Sequence, residues 1–343
     1  MAQLQFTAPM EAKLVSELPA ESGWQFEPKW DGFRCIAIRD GETVDLWAKS
    51  GKDLGRYFPE VVTLVKALPG KRFVLDGELM VVVDGVASFD ALQQRLHPAE
   101  SRVRKLSVET PAMLVAFDLL HHDGKDLREQ PLSERRKLLE TFVEAVPKNP
   151  GLKLSPITTD HKTAEHWFSD LSRELDGVIA KRLDQAYESG ERAMLKIKHV
   201  RTADCVVGGF RYGTDSKLVG SLLLGLFNGA GKLDHVGFTS AIAAADKAEL
   251  TKKLEALKGG PGFTGKAPGG PSRWSTERST EWVPLKHELV VEVGYDQITG
   301  DRFRHGTRFV RWRPDKAPEQ CTFEQLAHPV IPDAVIEAIV GGA

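Results

Sequence analysis

Short β-rich segments, separated by turns, are the feature that most limits the folds open to this chain. Residues 24–30, 33–40 and 43–49 alternate with the period of two that is typical of strands, and Asp40-Gly41 between the last two predicts a hairpin. Amphipathic helical patterns occur among these strands, but strands and helices do not alternate regularly. The sequence therefore predicts an α+β fold, with antiparallel sheets and packed helices, and not a doubly wound parallel sheet.

The pattern changes near residue 200. The following part of the chain contains five short strand patterns, Gly-rich turns and one helical pattern at residues 246–257. That combination is typical of a small OB-fold β-barrel. A chain of 343 residues is long enough for two domains. We therefore predict a first domain over residues 1–200 and an OB-fold domain over residues 201–343.

Composition excludes several classes of protein. No apolar stretch approaches the roughly 18 residues of a membrane helix, and the N-terminus lacks the pattern of a secretory signal. The three cysteines are scattered and have no metal-ligand spacing, which favours a reduced compartment such as the cytosol. The net charge of −2 gives no argument for nucleic-acid binding. Locally, however, residues 302–316 hold six basic residues and one acidic residue among aromatic side chains, a pattern that suits either a polyanion site or a solvated strand face.

Six short motifs rich in charged residues occur along the chain, each on a predicted strand or at its end. They are EPKWDGFR at 27–34, LDGEL at 75–79, FDLL at 117–120, DGVIAKR at 176–182, LKIK at 195–198 and RWRPDK at 311–316. A lysine followed by x-Asp-Gly is a weak signal when it stands alone. All six motifs in this order form a far more specific pattern.

This ordered set resembles the ATP-dependent DNA ligases, which belong to the covalent nucleotidyltransferase superfamily together with RNA ligases and mRNA capping enzymes. The resemblance covers nearly the whole chain and is closest to the actinobacterial DNA ligase C group. It implies a nucleotidyltransferase (adenylation) domain followed by the OB-fold. It also implies ATP and Mg²⁺ or Mn²⁺ as cofactors, nicked double-stranded DNA and repair proteins as partners, and a monomer in the bacterial cytosol.

The resemblance makes Lys29 the catalytic residue, which attacks the α-phosphate of ATP and forms a lysyl-AMP intermediate. Only an unprotonated amine is a nucleophile, and free lysine has a pKa near ~10.4. We expect nearby cations, namely Lys196, Lys198 and a bound Mg²⁺, to lower the pKa of Lys29.

The resemblance also assigns the remaining site residues. The expected nucleotide contacts are Glu27, Arg34, Lys49, Glu78, Phe117, Lys181, Arg192, Lys196, Lys198, Arg313 and Lys316. The expected metal ligands are Asp31, Glu78 and Asp176. Among these, Phe117 matches the ring that stacks on the purine, and Arg313 and Lys316 match residues that close over ATP and orient the pyrophosphate leaving group.

Two positions depart from the pattern of the family. Asp176 stands where relatives usually have glutamate, and its shorter side chain changes the reach toward a metal. Lys49 stands where many relatives have arginine, which keeps the charge but loses the bidentate fork.

Two alternatives stay open at this point. An RNA ligase or a guanylyltransferase of the same superfamily shares the motifs of the first domain. A nucleic-acid-binding protein that has lost catalysis would keep the fold, although the presence of Lys29 together with Glu78 and Lys198 argues against it.

Overall fold

The structure is a computed structural model. It describes residues 3–147, 149–169, 175–198, 201–269 and 281–326. These residues form two compact units, which comprise residues 3–198 and 201–326. Residues 327–343 of the predicted second domain lie outside the described residues. Within the described ranges, no helix is long and apolar enough to cross a membrane.

The first unit combines eleven strands and five helices over its described residues. The strands are β1 (Ala12–Leu14), β2 (Trp24–Pro28), β3 (Phe33–Asp40), β4 (Thr43–Ala48), β5 (Arg72–Val83), β6 (Val86–Ala87), β7 (Ala112–His122), β8 (Lys125–Asp126), β9 (Leu152–Leu154), β10 (Gly177–Arg182) and β11 (Met194–Lys198). The helices are α1 (Pro59–Ala67), α2 (Phe89–Gln94), α3 (Glu100–Glu109), α4 (Leu132–Glu144) and α5 (His161–Ser169).

These strands form two mostly antiparallel sheets. The larger sheet has the order β4-β3-β5-β7-β8, with β6 on β5 and β9 on β7, and the smaller sheet has the order β1-β11-β10-β2. The parallel pairs are β1 with β11 and β7 with β9. The hairpin predicted at Asp40-Gly41 joins β3 to β4. The predicted α+β class is therefore confirmed.

Strand β3 shows how the sequence buries both faces of the larger sheet. Successive side chains of a strand point to opposite faces. Cys35 and Ala37 pack in the core that contains α1 and α4, whereas Ile36 and Ile38 pack against residues of β11 and of the segment before β1. The second face therefore lies against the smaller sheet, and the motif residues of both sheets are brought together there.

The second unit is a curled antiparallel sheet with one helix, α6 (Lys247–Glu255). Its strands are β12 (Arg201–Tyr212), β13 (Val219–Phe227), β14 (Leu233–Thr239), β15 (Val283–Pro284), β16 (Val290–Tyr295), β17 (Ile298–Thr299), β18 (Arg302–Phe303) and β19 (Arg308–Trp312). The five longest strands have the order β14-β13-β12-β16-β19, and α6 lies between the third and fourth of them along the chain. This is the topology of an OB-fold. The backbone N–H of Thr307, just before β19, donates to the carbonyl of Phe238 on β14 at 3.1 Å, so the two outer strands approach each other.

A histidine is buried inside this second unit. His235 on β14 is 4% exposed, and within the described residues neither ring nitrogen has a hydrogen-bond partner. Its ring lies edge-on to that of Phe263, with 5.1 Å between centroids. Burial, together with the charges of Arg302 and Arg211, lowers the pKa of His235 from 6.5 to about 3. The folded unit therefore keeps this ring neutral at pH values where an unfolded chain protonates it.

We predict that His235 makes the second unit less stable in mild acid. Between its two pKa values the unfolded state binds more protons than the folded state, so the stability that is present above pH 6.5 is lost as the pH falls toward 3. At pH 5 the loss is about 2 kcal/mol relative to pH 7.5. His235→Leu should remove most of this difference, measured by hydrogen exchange and mass spectrometry on the β12–β14 peptides. Substitution of the exposed His305 by leucine serves as the control, and an unchanged difference in His235→Leu contradicts the prediction.

Candidate active site

Lys29 directly follows the last residue of β2, at the position where the first residues of β10 pair with that strand. Its backbone N–H donates to the carbonyl of Gly177 at 2.9 Å, and its Nζ donates to Oδ2 of Asp176 at 2.5 Å. Gly177 has φ of 143°, and a Cβ at this position would stand 2.0 Å from the carbonyl oxygen of Ile197. The glycine is therefore required for the close approach of β10 and β11 that places Asp176 beside Lys29.

The prediction that Lys196 and Lys198 lower the pKa of Lys29 is wrong, and the part of it that concerns Mg²⁺ stays a prediction. Burial lowers the pKa of Lys29, but the charge and hydrogen bond of Asp176, with the charges of Asp31 and Glu78, outweigh it, so the pKa is raised above 10.5. The cation effect acts on Lys196 instead, whose pKa is lowered by burial and by the charges of Lys198 and Lys29. The physical reason is distance, since Asp176 lies in direct contact with the Lys29 amine.

A cavity of about 180 Å³ opens next to Lys29. Predicted site residues provide much of its wall. They are Glu27, Lys29, Arg34, Lys49, Glu78, Phe117, Lys181 and Lys196. The cavity therefore combines an aromatic ring, carboxylates and several cations, which suits a ligand with both a flat base and phosphate groups.

Phe117 on β7 is flanked by two cations. The guanidinium carbon of Arg34 lies 4.7 Å from the ring centroid, and Nζ of Lys181 lies 4.5 Å from it. The ring is 8% exposed and faces the cavity lining. An aromatic ring can stack on any nucleobase, because every base has a π-face.

Glu27 and Lys181 form a buried pair at one side of the cavity. Nζ of Lys181 lies 2.8 Å from Oε1 of Glu27 and donates to Oε2 at 2.9 Å, and the Gln25 amide donates to Oε1 at 2.8 Å. The other side-chain atom of Gln25, Oε1, is buried and has no hydrogen-bond partner in the described part of the chain. These contacts fix the Glu27 carboxylate with good geometry in a dry environment.

Glu78 on β5 lies across the strand pair from Arg34. Its Oε1 accepts a hydrogen bond from the backbone N–H of Gly32 at 3.1 Å. Burial raises the pKa of Glu78 to about 7, against the lowering effect of Arg34 and Lys29, and Asp31 adds to the rise. Nζ of Lys198 lies 3.4 Å from Oδ2 of Asp176. Over the residues that the structure describes, no three acidic, histidine or cysteine side chains converge as a preformed metal centre.

Glu11 binds the cations at the rim of the cavity. Its Oε1 lies 3.0 Å from Nζ of Lys49, and its Oε2 lies 3.8 Å from Nε of Arg192. The hydrogen bond from Lys49 lowers the pKa of Glu11, burial opposes it, and the charges of Lys49, Arg192 and Lys196 lower the pKa further. Arg192 is thus placed at the rim and does not line the cavity.

Arg313 and Lys316 belong to the second unit and converge on Asp204 of β12. Nη1 of Arg313 donates to both Asp204 oxygens at 2.8 and 2.9 Å, and Nζ of Lys316 donates at 2.7 Å. Asp315 accepts hydrogen bonds from the other two nitrogens of the Arg313 guanidinium, Nε and Nη2. The two cations are thus neutralised inside their own unit.

The sequence analysis missed several residues of the cavity wall. They are Pro9, Met10, Glu11, Ala12, Pro28, Trp30, Ile179 and Met194. Strand register offers a signal for one of them, because Ile179 is the cross-strand partner of Glu27 and shares a face with Lys181. Glu11 and Asp204 lie outside the motifs, and no local pattern marks them.

The comparisons with known proteins agree with this geometry. A family model described as "ATP dependent DNA ligase domain" matches residues 9–198, and one described as "ATP dependent DNA ligase C terminal region" matches residues 215–316. DNA ligase C of Mycobacterium tuberculosis is 42% identical over 339 residues, which cover 94% of each chain. This chain belongs to the ATP-dependent DNA ligases.

Two further comparisons place this ligase among its relatives. The multifunctional non-homologous end joining DNA repair protein LigD of Mycobacterium tuberculosis is 32% identical over 310 residues, which cover 88% of this chain and 38% of LigD. A solved Lig E DNA ligase structure has a TM-score of 0.55 and 17% identity, and the match covers 89% of this chain and 100% of that one. This last likeness concerns the fold. The resemblance inferred from the six motifs is confirmed.

We predict that Asp176 keeps the Lys29 amine protonated in the ligand-free ligase. Asp176→Asn removes the charge that raises the pKa of Lys29, so burial dominates and the pKa falls. At pH 8 the amine of Lys29 should then be acetylated faster by acetic anhydride than in the unsubstituted ligase, as measured by mass spectrometry of the tryptic peptides. Asp184→Asn, an exposed carboxylate near the end of β10, is the control. Equal acetylation of Lys29 in all three proteins contradicts the prediction.

Proposed function

We propose that this ligase seals nicks in duplex DNA through a covalent bond between Lys29 and AMP. The observation that carries the proposal is the placement of the Lys29 amine in one cavity with Arg34, Glu78 and Phe117. In this assignment Phe117 stacks on the purine, Glu27 and Lys181 read its edge, and Arg34 and Glu78 hold the ribose. Lys49, Arg192, Lys196 and Lys198 neutralise the phosphates.

The proposed reaction has three transfers. The Lys29 nitrogen attacks the α-phosphate, the bond to pyrophosphate breaks, and a proton leaves the amine. The 5′-phosphate at a nick then attacks the same phosphorus, the P–N bond breaks, and Lys29 regains a proton. Finally the 3′-hydroxyl loses its proton and attacks the adenylated 5′-phosphate, the bond between that phosphorus and AMP breaks, and AMP leaves. Each step depends on positioning and on neutralisation of charge.

Asp176 has a defined part in the first transfer. Nζ of Lys29 donates to Oδ2 of Asp176 at 2.5 Å, so the amine must give up this hydrogen-bonded proton before it can act as a nucleophile. Asp31, Glu78 and Asp176 carry the hard carboxylate oxygens that Mg²⁺ or Mn²⁺ prefers, and we propose that they would hold such a cation, although they do not converge as a preformed centre among the described residues. When bound, such a cation supplies neutralisation of phosphate charge.

Arg313 and Lys316 complete the proposal in the second unit, where they orient the pyrophosphate leaving group. We further infer that the ligase works as a monomer on chromosomal nicks in the bacterial cytosol. A repair role is supported by the similarity to LigD, whose description names DNA repair.

We predict that Lys29→Ala abolishes covalent labelling by α-labelled ATP. The expected labelling is below ~1% of the unsubstituted ligase, because the P–N bond needs this amine. Denaturing electrophoresis after incubation with Mg²⁺ or Mn²⁺ measures it. Lys13→Ala, on the exposed face of β1, is the control and should label normally. If Lys29→Ala still takes label, the assignment of the nucleophile is wrong, and if the unsubstituted ligase takes none, the proposed reaction is wrong.

We predict that the basic residues of the second unit contact DNA phosphates. Arg302 and Arg308 are exposed, and each phosphate contact contributes about 0.9 to the slope of log K against log salt. The double variant Arg302→Gln/Arg308→Gln should therefore reduce that slope by up to about 2 for a nicked duplex, measured by fluorescence anisotropy. The double variant Arg102→Gln/Arg104→Gln on α3 is the control of equal charge. An unchanged slope in the first variant shows that these arginines form a solvated face only.

A further inference from the structure

Asp76 on β5 is a completely buried carboxylate beside the cavity. Nε and Nη2 of Arg34 donate to its two oxygens at 2.5 and 2.6 Å. The hydroxyl of Tyr187 donates to Oδ2 at 2.6 Å. Asp76 therefore fixes the guanidinium of Arg34 with the bidentate geometry that gives the strongest ion pairs, and Tyr187 supplies the third donor.

The same hydroxyl also fixes one wall of the cavity. The backbone N–H of Met10 donates to the Tyr187 oxygen at 3.0 Å, and Nη2 of Arg34 donates to the Met10 carbonyl at 3.2 Å. Met10 lines the cavity and is 2% exposed. The contacts form a closed ring through Arg34, Asp76, Tyr187 and Met10, in which each polar group is satisfied by the next.

Tyr187 is itself held firmly in this position. Its backbone N–H donates to the carbonyl of Arg128 at 2.7 Å, and the guanidinium carbon of Arg135 lies 5.7 Å from its ring centroid. Burial and the charge of Asp76 raise the pKa of Tyr187 well above 10, against the lowering effect of Arg34. The phenol therefore remains a hydrogen-bond donor over the whole working range of pH.

We propose that Tyr187 is a positioning residue for nucleotide binding, which acts through Asp76 and Met10 to hold Arg34 in the wall of the cavity. Without the hydroxyl, Oδ2 of the buried Asp76 carboxylate keeps only the donor from Arg34, and the buried backbone N–H of Met10 loses its acceptor. Arg34 then has alternative positions, and the nucleotide must select the competent one. The inference rests on the proposed function, because it assigns Arg34 to the nucleotide.

The test uses the full chain and compares Tyr187→Phe with the control Tyr212→Phe. The control also removes a hydroxyl with two hydrogen bonds, to Glu255 and Lys258, but on the exposed face of the second unit. We expect Tyr187→Phe to raise the ATP concentration for half-maximal covalent labelling by about tenfold, the effect of losing a hydrogen bond to a charged group. The maximal labelling rate should change less than about threefold, since Tyr187 does not touch the reacting atoms.

A double-mutant cycle separates positioning from general stability. In the Arg34→Lys background, which keeps the charge but loses the fork, Tyr187→Phe should change the half-maximal ATP concentration by less than about twofold. If Tyr187→Phe has the same effect in both backgrounds, or has no effect on its own, the inference is overturned. Normal labelling of the unsubstituted ligase then leaves the proposed function intact. Failure of the unsubstituted ligase and of Tyr212→Phe to label overturns the proposed function, and with it this inference.

Discussion

The contact between Lys29 and Asp176 is the interaction on which the rest of the site depends. It joins residues 147 positions apart, and it exists because Gly177 lets β10 approach β11 closely enough to turn Asp176 toward Lys29. An ammonium that is largely removed from water is costly without a partner, so the Asp176 carboxylate stabilises the half-buried Lys29 amine. The same contact keeps the amine protonated and unreactive. In the proposed first transfer this proton must therefore leave before Lys29 attacks the α-phosphate.

The same physical solution recurs at the other cations that the resemblance assigns to phosphates. Glu11 neutralises Lys49 and Arg192, and Asp204 neutralises Arg313 and Lys316. Each of these cations is already paired with a carboxylate, so a phosphate that binds to it must replace that carboxylate. Its affinity is therefore a difference between two similar interactions, which keeps binding moderate. An enzyme that must release pyrophosphate, AMP and sealed DNA in turn benefits from such exchangeable contacts.

Much of the fold and of the cavity wall could be predicted from the sequence, because the signals are local. Alternation with a period of two placed the motif residues on strands, and the order of the motifs identified which strands carry chemistry. The residues that escaped prediction act through tertiary contacts. Tyr187 meets Asp76 across 111 positions and Asp204 meets Arg313 across 109, and no short pattern encodes either contact. The effect of Lys196 and Lys198 on the pKa of Lys29 was wrongly predicted for the same reason, since the motifs do not tell which charge lies nearest.

The two ends of the cavity differ in how deeply their ion pairs are buried, and therefore in how much free energy it costs to break those pairs. At the end assigned to the nucleoside, the carboxylates of Glu27 and Asp76 are 3% and 0% exposed, and breaking a buried pair of this kind costs about 3–5 kcal/mol. At the end assigned to the phosphates, the side chains of Lys49 and Arg192 are 57% and 76% exposed, and such pairs contribute little. The nucleoside end is therefore preorganised, whereas the phosphate end can change partners at low cost. In the proposed reaction AMP is joined first to pyrophosphate, then to Lys29 and then to DNA, so a rigid nucleoside end and an adaptable phosphate end suit the successive transfers.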